Sequence, residues 1–229
     1  MEGLLKLKRR HFNALVCSVC ALAAAGSLGQ ALAQAPAQAA SQAPVILVVG
    51  DSLSAEYGLK RGTGWVALLG ETLAKEKVKA RVVNASISGD TTSGGRSRIA
   101  ALLKQHRPKW VVIELGGNDA LRGLPLNMTR DNLATMARLS REAGAQVLLL
   151  GMEMPPNYGA KYAQEFRDVF TAVAKAEQTA LVPFFLKGVA DTKDPTALFQ
   201  NDRIHPNELA QPTMLDNVWP ELRKLIARR

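Results

Sequence analysis

Cysteine, histidine and aromatic residues are scarce in this chain of 229 residues. There are two cysteines and three histidines, and aromatic side chains make up 5% of the sequence. Few aromatic side chains leave little material for stacking on bases, so nucleic-acid binding is not expected despite a formal net charge of +9. So few thiol and imidazole groups also argue against a site that needs several of the ligands that transition metals prefer. No metal and no cofactor are expected.

The first 33 residues have the three-part layout of a secretory signal peptide. Four basic residues at positions 6–10 precede a run without charge over residues 14–32, and the run ends in Ala31-Leu32-Ala33. We expect cleavage after Ala33 and a periplasmic location, with an uncleaved membrane anchor as the alternative. Cleavage would remove both cysteines and lower the net charge to +6, because the segment carries four basic residues and one acidic residue. The mature protein would then have neither a disulfide nor a thiol nucleophile.

Residues 34–44 (QAPAQAASQAP) are of low complexity and predict a flexible leader. Beyond them, five strand-like apolar runs alternate with helix-like stretches. The runs cover residues 45–49, 80–84, 110–115, 146–150 and 181–185. The helices are predicted over residues 65–77, 92–105, 129–143, 161–178 and 206–227, the last interrupted or kinked at its prolines. Thr129 is the expected N-cap of the third helix, and Gly144 its expected stop.

The apolar runs are rich in Val, Ile and Leu and show little alternation, which is typical of parallel strands buried on both faces. Their alternation with helices predicts an α/β fold, with an open parallel sheet covered by helices on both faces. We expect one domain over residues 45–229. In such a sheet, ligands bind at the carboxyl ends of the strands.

Three short motifs follow the first three runs and carry candidate residues. Ser52 in GDSLS is a sensible position for a nucleophile, and Gly89 in SGDTT offers an unobstructed backbone N–H to an anion. Asn118 in GGND would project its amide into the crevice. Each residue type is also a common turn former, so none of the three is specific when taken alone.

His205 is the candidate base. Of the three histidines, His11 leaves with the signal peptide, and His106 lies in a polar, basic stretch that resembles an exposed helix end. Asp202 precedes His205 by three residues, a spacing at which a turn can return its carboxylate to Nδ1 of the ring. Such a bond fixes the tautomer and stabilises the imidazolium, as in a serine hydrolase.

Taken together, GDSLS, SGDTT, GGND and the D-x-x-H-P of residues 202–206 resemble the four sequence blocks of the SGNH (GDSL) hydrolases. The similarity extends from residue 45 to about residue 225. It looks closest to the bacterial periplasmic subfamily named for acyl-CoA thioesterase, lysophospholipase and protease activities. The stretches VVNASISGDT, LLKQHRPKWVVIELGGNDALRG and PPNYG carry that closer similarity.

The resemblance implies a flavodoxin-like three-layer α/β/α sandwich with a five-stranded parallel sheet. It implies a serine esterase, thioesterase or lysophospholipase with an acyl-enzyme on Ser52, a base at His205 and help from Asp202. The oxyanion hole would consist of the backbone N–H groups of Ser52 and Gly89 and the side-chain amide of Asn118. Substrate would contact a mobile loop over residues 119–125 and an apolar groove, and the residues implied there are Asp119, Leu121, Pro125, Met154 and Pro155. Met154 and Pro155 depart slightly from the relatives, as does Glu56 in the turn after Ser52, so chain-length preference does not carry over.

Other readings stay open at this stage. A short-acyl or carbohydrate esterase of the same family is one alternative, and a metal-dependent phosphoesterase or a non-catalytic lipid-binding module is another. The expected partner is a small acyl ester or a lysophospholipid. We also expect a monomer and transient contact with a membrane surface, since mild positive charge favours anionic headgroups.

Overall fold

The computed structural model describes residues 43–154 and 156–228. The predicted signal peptide, nearly all of the leader and Pro155 lie outside these residues. Five strands and six α-helices are described, in the order β1 Val45–Gly50, α1 Trp65–Lys75, β2 Arg81–Asn84, α2 Thr92–His106, β3 Trp110–Glu114, α3 Gly117–Leu121, α4 Leu126–Glu142, β4 Gln146–Leu150, α5 Ala160–Ala176, β5 Ala180–Val182 and α6 Gln211–Ala227. Three short 3₁₀ helices cover Pro156–Tyr158, Pro195–Leu198 and Glu208–Ala210.

The five strands form one parallel sheet in the order β2-β1-β3-β4-β5. This is the flavodoxin-like order, in which the chain turns one way after β1 and the other way after β2. All residues of β1 and β3, at the centre of the described sheet, are buried, while edge strand β2 is partly exposed. Burial on both faces explains why these central strands are almost purely aliphatic.

Helices cover both faces of the sheet. α1 packs against α6, whereas α2, α4 and α5 pack against one another in a row. Right-handed crossovers require this division, because β2 lies on the opposite side of β1 from the remaining strands. The predicted α/β/α sandwich with five parallel strands is therefore confirmed. Its switch point, where ligand crevices form, lies at the carboxyl ends of β1 and β3.

Several element boundaries differ from the predictions for local reasons. α4 begins three residues early, at Leu126 after Pro125, so the prediction of Thr129 as an N-cap is wrong and this residue lies buried within the helix. β5 ends at Val182, because Pro183 has no N–H with which to continue the ladder. α6 runs without a break through Pro220. Gly144, at a φ of 86°, follows the end of α4, as its predicted role as a helix stop requires.

Within the part of the chain that the structure describes, no helix has both the length and the apolar character needed to cross a membrane.

Candidate active site

Ser52, His205 and Asp202 form one hydrogen-bonded line at the carboxyl edge of the sheet. Ser52 lies in the turn directly after β1, and its Oγ is 2.9 Å from Nε2 of His205. On the other side of the imidazole ring, Nδ1 is 2.7 Å from Oδ2 of Asp202. Ser52 and His205 are 153 positions apart in the chain, so only the completed fold brings them together. The arrangement has the order and the spacing of a serine hydrolase triad.

The carboxylate of Asp202 is oriented by the backbone of its own turn. Its Oδ1 accepts the N–H groups of Ile204 and His205 at 2.9 and 3.0 Å. Arg203, between Asp202 and Ile204, has a left-handed backbone with a φ of 59°. The backbone N–H groups of His205 and Ile204 are the main reason why the pKa of Asp202 is lowered to about 2. The carboxylate is therefore ionised at neutral pH, as an orienting acid must be.

Tyr57 is a neighbour of the imidazole that sequence reasoning missed. The centroid of its ring lies 4.4 Å from that of His205, at an interplanar angle of 38°, and the side chain is half exposed. Gln200 ties the two segments together, because its Nε2 donates to the carbonyl of Tyr57 and its backbone N–H to the carbonyl of His205, each at 2.8 Å. No sequence motif marks a tyrosine in such a turn, so the contact becomes evident only in three dimensions.

The turn that contains Gly89 is attached to the end of β1. The N–H of Ile87 donates to the carbonyl of Gly50 at 3.0 Å, so the segment after β2 lies beside the segment after β1. Gly89 has a φ of 77°, a left-handed backbone conformation that residues other than glycine rarely adopt. Its carbonyl accepts a hydrogen bond from Nη2 of Arg122 at 2.8 Å, which links this turn to the end of α3.

Asn118 lies in the first turn of α3, and not in a loop as predicted. Its Nδ2 donates to Oδ2 of Asp51, the residue before Ser52, at 3.0 Å. A side-chain amide nitrogen carries two hydrogens, so one remains available for a ligand. The three predicted oxyanion donors thus lie on segments that meet at the end of β1.

Two buried carboxyl groups, those of Asp51 and Glu114, lie at the turn that contains Ser52, and the sequence patterns did not indicate either of them. Glu114 ends β3 in the apolar string WVVIEL, so the pattern indicated only a buried strand. Burial raises the pKa of Asp51 to about 6. Burial, followed by the charge of Asp51, raises the pKa of Glu114 well above its usual value.

Asp119 does not line a substrate site, so its predicted role in binding is wrong. Its side chain is fully buried and accepts three hydrogen bonds. The backbone N–H of Thr92 donates to Oδ2 at 2.9 Å, the hydroxyl of Thr92 donates to Oδ1, and the hydroxyl of Thr129 donates to Oδ1 at 3.2 Å. Asp119 therefore anchors α3 to α2 and α4.

The other predicted substrate-contacting residues occupy different environments. Leu121 is exposed at the end of α3, and Pro125 is exposed at the start of α4. Met154 is buried in the hydrophobic core, which leaves little of its side chain for a substrate to contact. Pro155 lies outside the described residues. The segment 119–125 is partly helical because α3 extends to Leu121, and only a short connection remains before α4.

Six large apolar side chains are exposed among the described residues, and all lie at the carboxyl edge of the sheet. Each of the five segments that follow a strand contributes at least one of them. They are Tyr57, Ile87, Leu121, Tyr158, Ile204 and Leu209. Exposed apolar residues concentrated on one side of a protein mark a surface for ligand or lipid contact.

No group of three or more His, Cys, Asp or Glu side chains in residues 43–154 and 156–228 is placed to hold a metal ion. His106 ends α2 at the opposite edge of the sheet, away from Ser52. His205 is therefore the histidine that reaches the candidate nucleophile.

Comparison with known proteins agrees with this geometry. Residues 48–211 match the model of the GDSL-like lipase/acylhydrolase family. The chain is 54% identical over 189 residues to the esterase TesA of Pseudomonas aeruginosa, covering 82% of this chain and 92% of that protein. It is 41% identical over 187 residues to the thioesterase 1/protease 1/lysophospholipase L1 of Escherichia coli K12, covering 82% and 87% of the two chains.

Solved structures show the same likeness in three dimensions. A crystal structure of TesA superposes with a TM-score of 0.76 at 55% identity, covering 79% of this chain and 99% of that one. The psychrotrophic esterase EstA of a Pseudoalteromonas species, inhibited by monoethylphosphonate, gives a TM-score of 0.74 at 40% identity and covers 79% and 97%. The chain therefore belongs to the GDSL-like lipase/acylhydrolase family and is a hydrolase of ester bonds.

Proposed function

We propose that the enzyme cleaves acyl esters and thioesters through a covalent acyl-enzyme on Ser52. The observation that carries the proposal is the 2.9 Å contact between Oγ of Ser52 and Nε2 of His205. As Oγ attacks the acyl carbon, Nε2 takes the hydroxyl proton. The ester C–O or thioester C–S bond then breaks, and the leaving group takes that proton from His205. Water, deprotonated by the same nitrogen, attacks the acyl carbon and releases the acid and free Ser52.

Asp202 supports this cycle through the other ring nitrogen. Its 2.7 Å contact fixes the proton on Nδ1, so that Nε2 is free to accept one from Ser52. When the ring becomes positively charged, the ionised carboxylate stabilises it. Oxyanion stabilisation is assigned to the N–H groups of Ser52 and Gly89 and to Nδ2 of Asn118.

Acyl chains and lysophospholipids are the substrate class that the edge of the sheet favours. The six exposed apolar side chains lie, like Ser52, in the segments that follow the strands, and they offer contact area to a hydrocarbon chain. Exposed cations lie in the same segments, among them Lys60, Arg122 and Arg203. This combination of apolar and basic side chains favours transient contact with an anionic lipid surface. All the groups that this mechanism uses come from one chain, so we expect a monomer, and the predicted signal peptide would export it to the periplasm.

The test is active-site labelling with a fluorophosphonate probe, together with hydrolysis of p-nitrophenyl butyrate. The natural enzyme should be labelled at Ser52, and Ser52→Ala should lose the label and nearly all activity, since Oγ supplies the bond to the acyl group. Ser97→Ala is the matched control, because Ser97 is exposed on α2 and bonds only the carbonyl of Gly94. More than a few per cent of activity remaining in folded Ser52→Ala would exclude the acyl-enzyme. Loss of activity on chelation would instead favour a metal-dependent phosphoesterase.

A further inference from the structure

Glu114 is a buried acid at the end of a central strand. Among the described residues, no basic side chain forms an ion pair with it. It is the last residue of β3 and is fully buried. An isolated carboxylate is costly in such a place unless it is paired, hydrogen-bonded or neutralised by a proton. Its position, next to the turn that carries Ser52, makes its protonation state relevant to the site.

The two oxygens of Glu114 have different surroundings. Oε2 accepts the hydroxyl of Ser54 at 2.7 Å and the backbone N–H of Asp51 at 3.3 Å. Ser54 is held in turn by Nε1 of Trp65, which donates to its Oγ at 3.2 Å. Oε1 is buried and receives no donor from the residues that the structure describes. This is the pattern of a carboxylic acid, with Oε2 as the carbonyl-type oxygen and Oε1 as the one that carries the proton.

The carboxyl group of Asp51 is a neighbour that, when ionised, could accept this proton in a hydrogen bond. The backbone N–H of Asp51 bonds Oε2 of Glu114 at 3.3 Å, and the charge of Asp51 opposes ionisation of Glu114, so the two carboxyl groups are neighbours that repel each other unless they share a proton. The other charged groups around the pair are His205, whose charge acts on Asp51, and Arg98 of α2. The guanidinium of Arg98 is engaged by Asp90 at 2.8 Å and by the carbonyls of Ala85 and Gly50. The pair therefore shares one proton and one negative charge.

We infer that Glu114 is a positioning residue of the oxyanion hole, which as a neutral acid donates to Asp51 and thereby fixes the carboxylate that holds the amide of Asn118. The inference rests on the proposed function, since it assumes that Asn118 stabilises the oxyanion. Oδ1 of Asp51 accepts the N–H of Leu53 at 3.0 Å, and Oδ2 accepts Nδ2 of Asn118 at 3.0 Å. With one amide hydrogen held in this way, the second has a fixed direction. The contacts thus run from the interior of the sheet through Asp51 to the amide of Asn118, and Glu114 itself does not touch the substrate.

A role in positioning differs from a role in stability in its kinetic signature. A fixed amide meets the charged oxygen of the transition state more strongly than the neutral carbonyl of the ground state. Loss of its support should therefore lower kcat and leave KM nearly unchanged. Glutamine at position 114 keeps a neutral donor and an acceptor in the same places, whereas leucine keeps only the volume.

The experiment is a double-mutant cycle between positions 114 and 118, with hydrolysis of p-nitrophenyl butyrate as the assay. Asn118→Ala should lower kcat by about 10²–10³-fold. Glu114→Leu should lower kcat by about 10- to 100-fold with KM unchanged, and in the double variant its effect should almost vanish, because the amide that it orients is gone. Glu114→Gln should keep kcat within about threefold of the natural enzyme. Ser140→Ala is the control for a buried hydrogen bond elsewhere, since its hydroxyl bonds only the carbonyl of Met136.

The outcomes distinguish a failure of the inference about Glu114 from a failure of the proposed function. If Glu114→Leu lowers kcat by the same factor in the Asn118→Ala variant as in the natural enzyme, Glu114 acts independently of the amide and the inference is wrong. If Glu114→Gln loses kcat as Leu does, the ionised carboxylate is the working form and the inference is equally wrong, a result that stands even when Leu fails to fold. If Asn118→Ala alone keeps natural kcat, the oxyanion assignment in the proposed function fails first.

Discussion

At the scale of single residues, Asp51 determines how the stability of the enzyme responds to pH. Burial is the largest of the causes that raise its pKa from 3.8 to about 6, so the folded protein binds this proton more tightly than the unfolded chain does. The free energy of unfolding that this group contributes is therefore present below about pH 4 and is lost as the pH rises through about 6. Asp202 acts in the opposite sense, because its lowered pKa gives stability that is lost only as the pH falls toward 2.

We expect Asp51→Asn to reduce the loss of stability between pH 4 and pH 7 by about 1–3 kcal/mol. Asparagine does not titrate, so this position no longer makes the folded protein bind more protons than the unfolded chain. Urea unfolding at a series of pH values measures the difference. Asp131→Asn is the control, because Asp131 is exposed and pairs only with its neighbour Arg130. An unchanged pH slope in Asp51→Asn would show that Asp51 is not the source.

Single residues were predictable where few candidates existed. His205 was found by counting, since one histidine lies in the predicted signal peptide and another was predicted at an exposed helix end, and Ser52 and Asn118 were found by their motifs. Glu114 could not be found in this way, because one acid in an aliphatic strand leaves the hydrophobic pattern intact. Tyr57 was missed because its contact with His205 spans most of the chain.

At the scale of elements, α3 is the short piece on which the amide of Asn118 depends. Five residues cannot form a stable helix by themselves. α3 is held by Asp119, which accepts hydrogen bonds from Thr92 at the start of α2 and from Thr129 within α4. The predicted substrate loop thus begins on a buried anchor.

Thr129→Val should lower the free energy of unfolding by about 1–3 kcal/mol, because valine keeps the volume but removes a donor to a buried carboxyl group. It should also lower kcat, since α3 carries Asn118. Thr135→Val is the matched control on the same helix, where the hydroxyl is exposed and bonds the carbonyl of Asp131. Equal effects at both positions, measured by urea unfolding and by kcat, would contradict the anchor.

The strands were easier to predict than the helix ends. Continuous Val, Ile and Leu runs fixed β1, β3 and β4 to within one or two residues. The ends of α4 and β5 depended on Pro125 and Pro183, whose effect on the neighbouring backbone outweighed the apolar pattern.

At the scale of the whole molecule, exposed apolar side chains are concentrated at one edge. The proposed nucleophile, the proposed oxyanion donors and the six apolar residues all follow the carboxyl ends of the strands, while the described chain exposes no large apolar side chain elsewhere. One edge of the sheet would thus both face the lipid and perform the chemistry.

Tyr158→Ser combined with Leu209→Ser should weaken binding to vesicles of phosphatidylcholine and phosphatidylglycerol by about 3- to 10-fold, because apolar area leaves water less completely. Hydrolysis of lysophosphatidylcholine micelles should fall with it, whereas hydrolysis of p-nitrophenyl acetate in solution should not. Gln105→Ser is the control, an exposed side chain near the end of α2 at the opposite edge. Equal binding by the natural enzyme and the double variant would remove the surface from the proposal.

Because Ser52 and His205 are separated by 153 positions, they are also added to the chain at different times during synthesis. A ribosome completes the nucleophile early in synthesis, but the base is added only when most of the chain has been made. Until then the serine has no partner to take its proton, so an unfinished or truncated chain is inert toward the acyl esters around it. By the proposed mechanism, hydrolysis begins only once the segment after β5 has folded back onto the turn after β1.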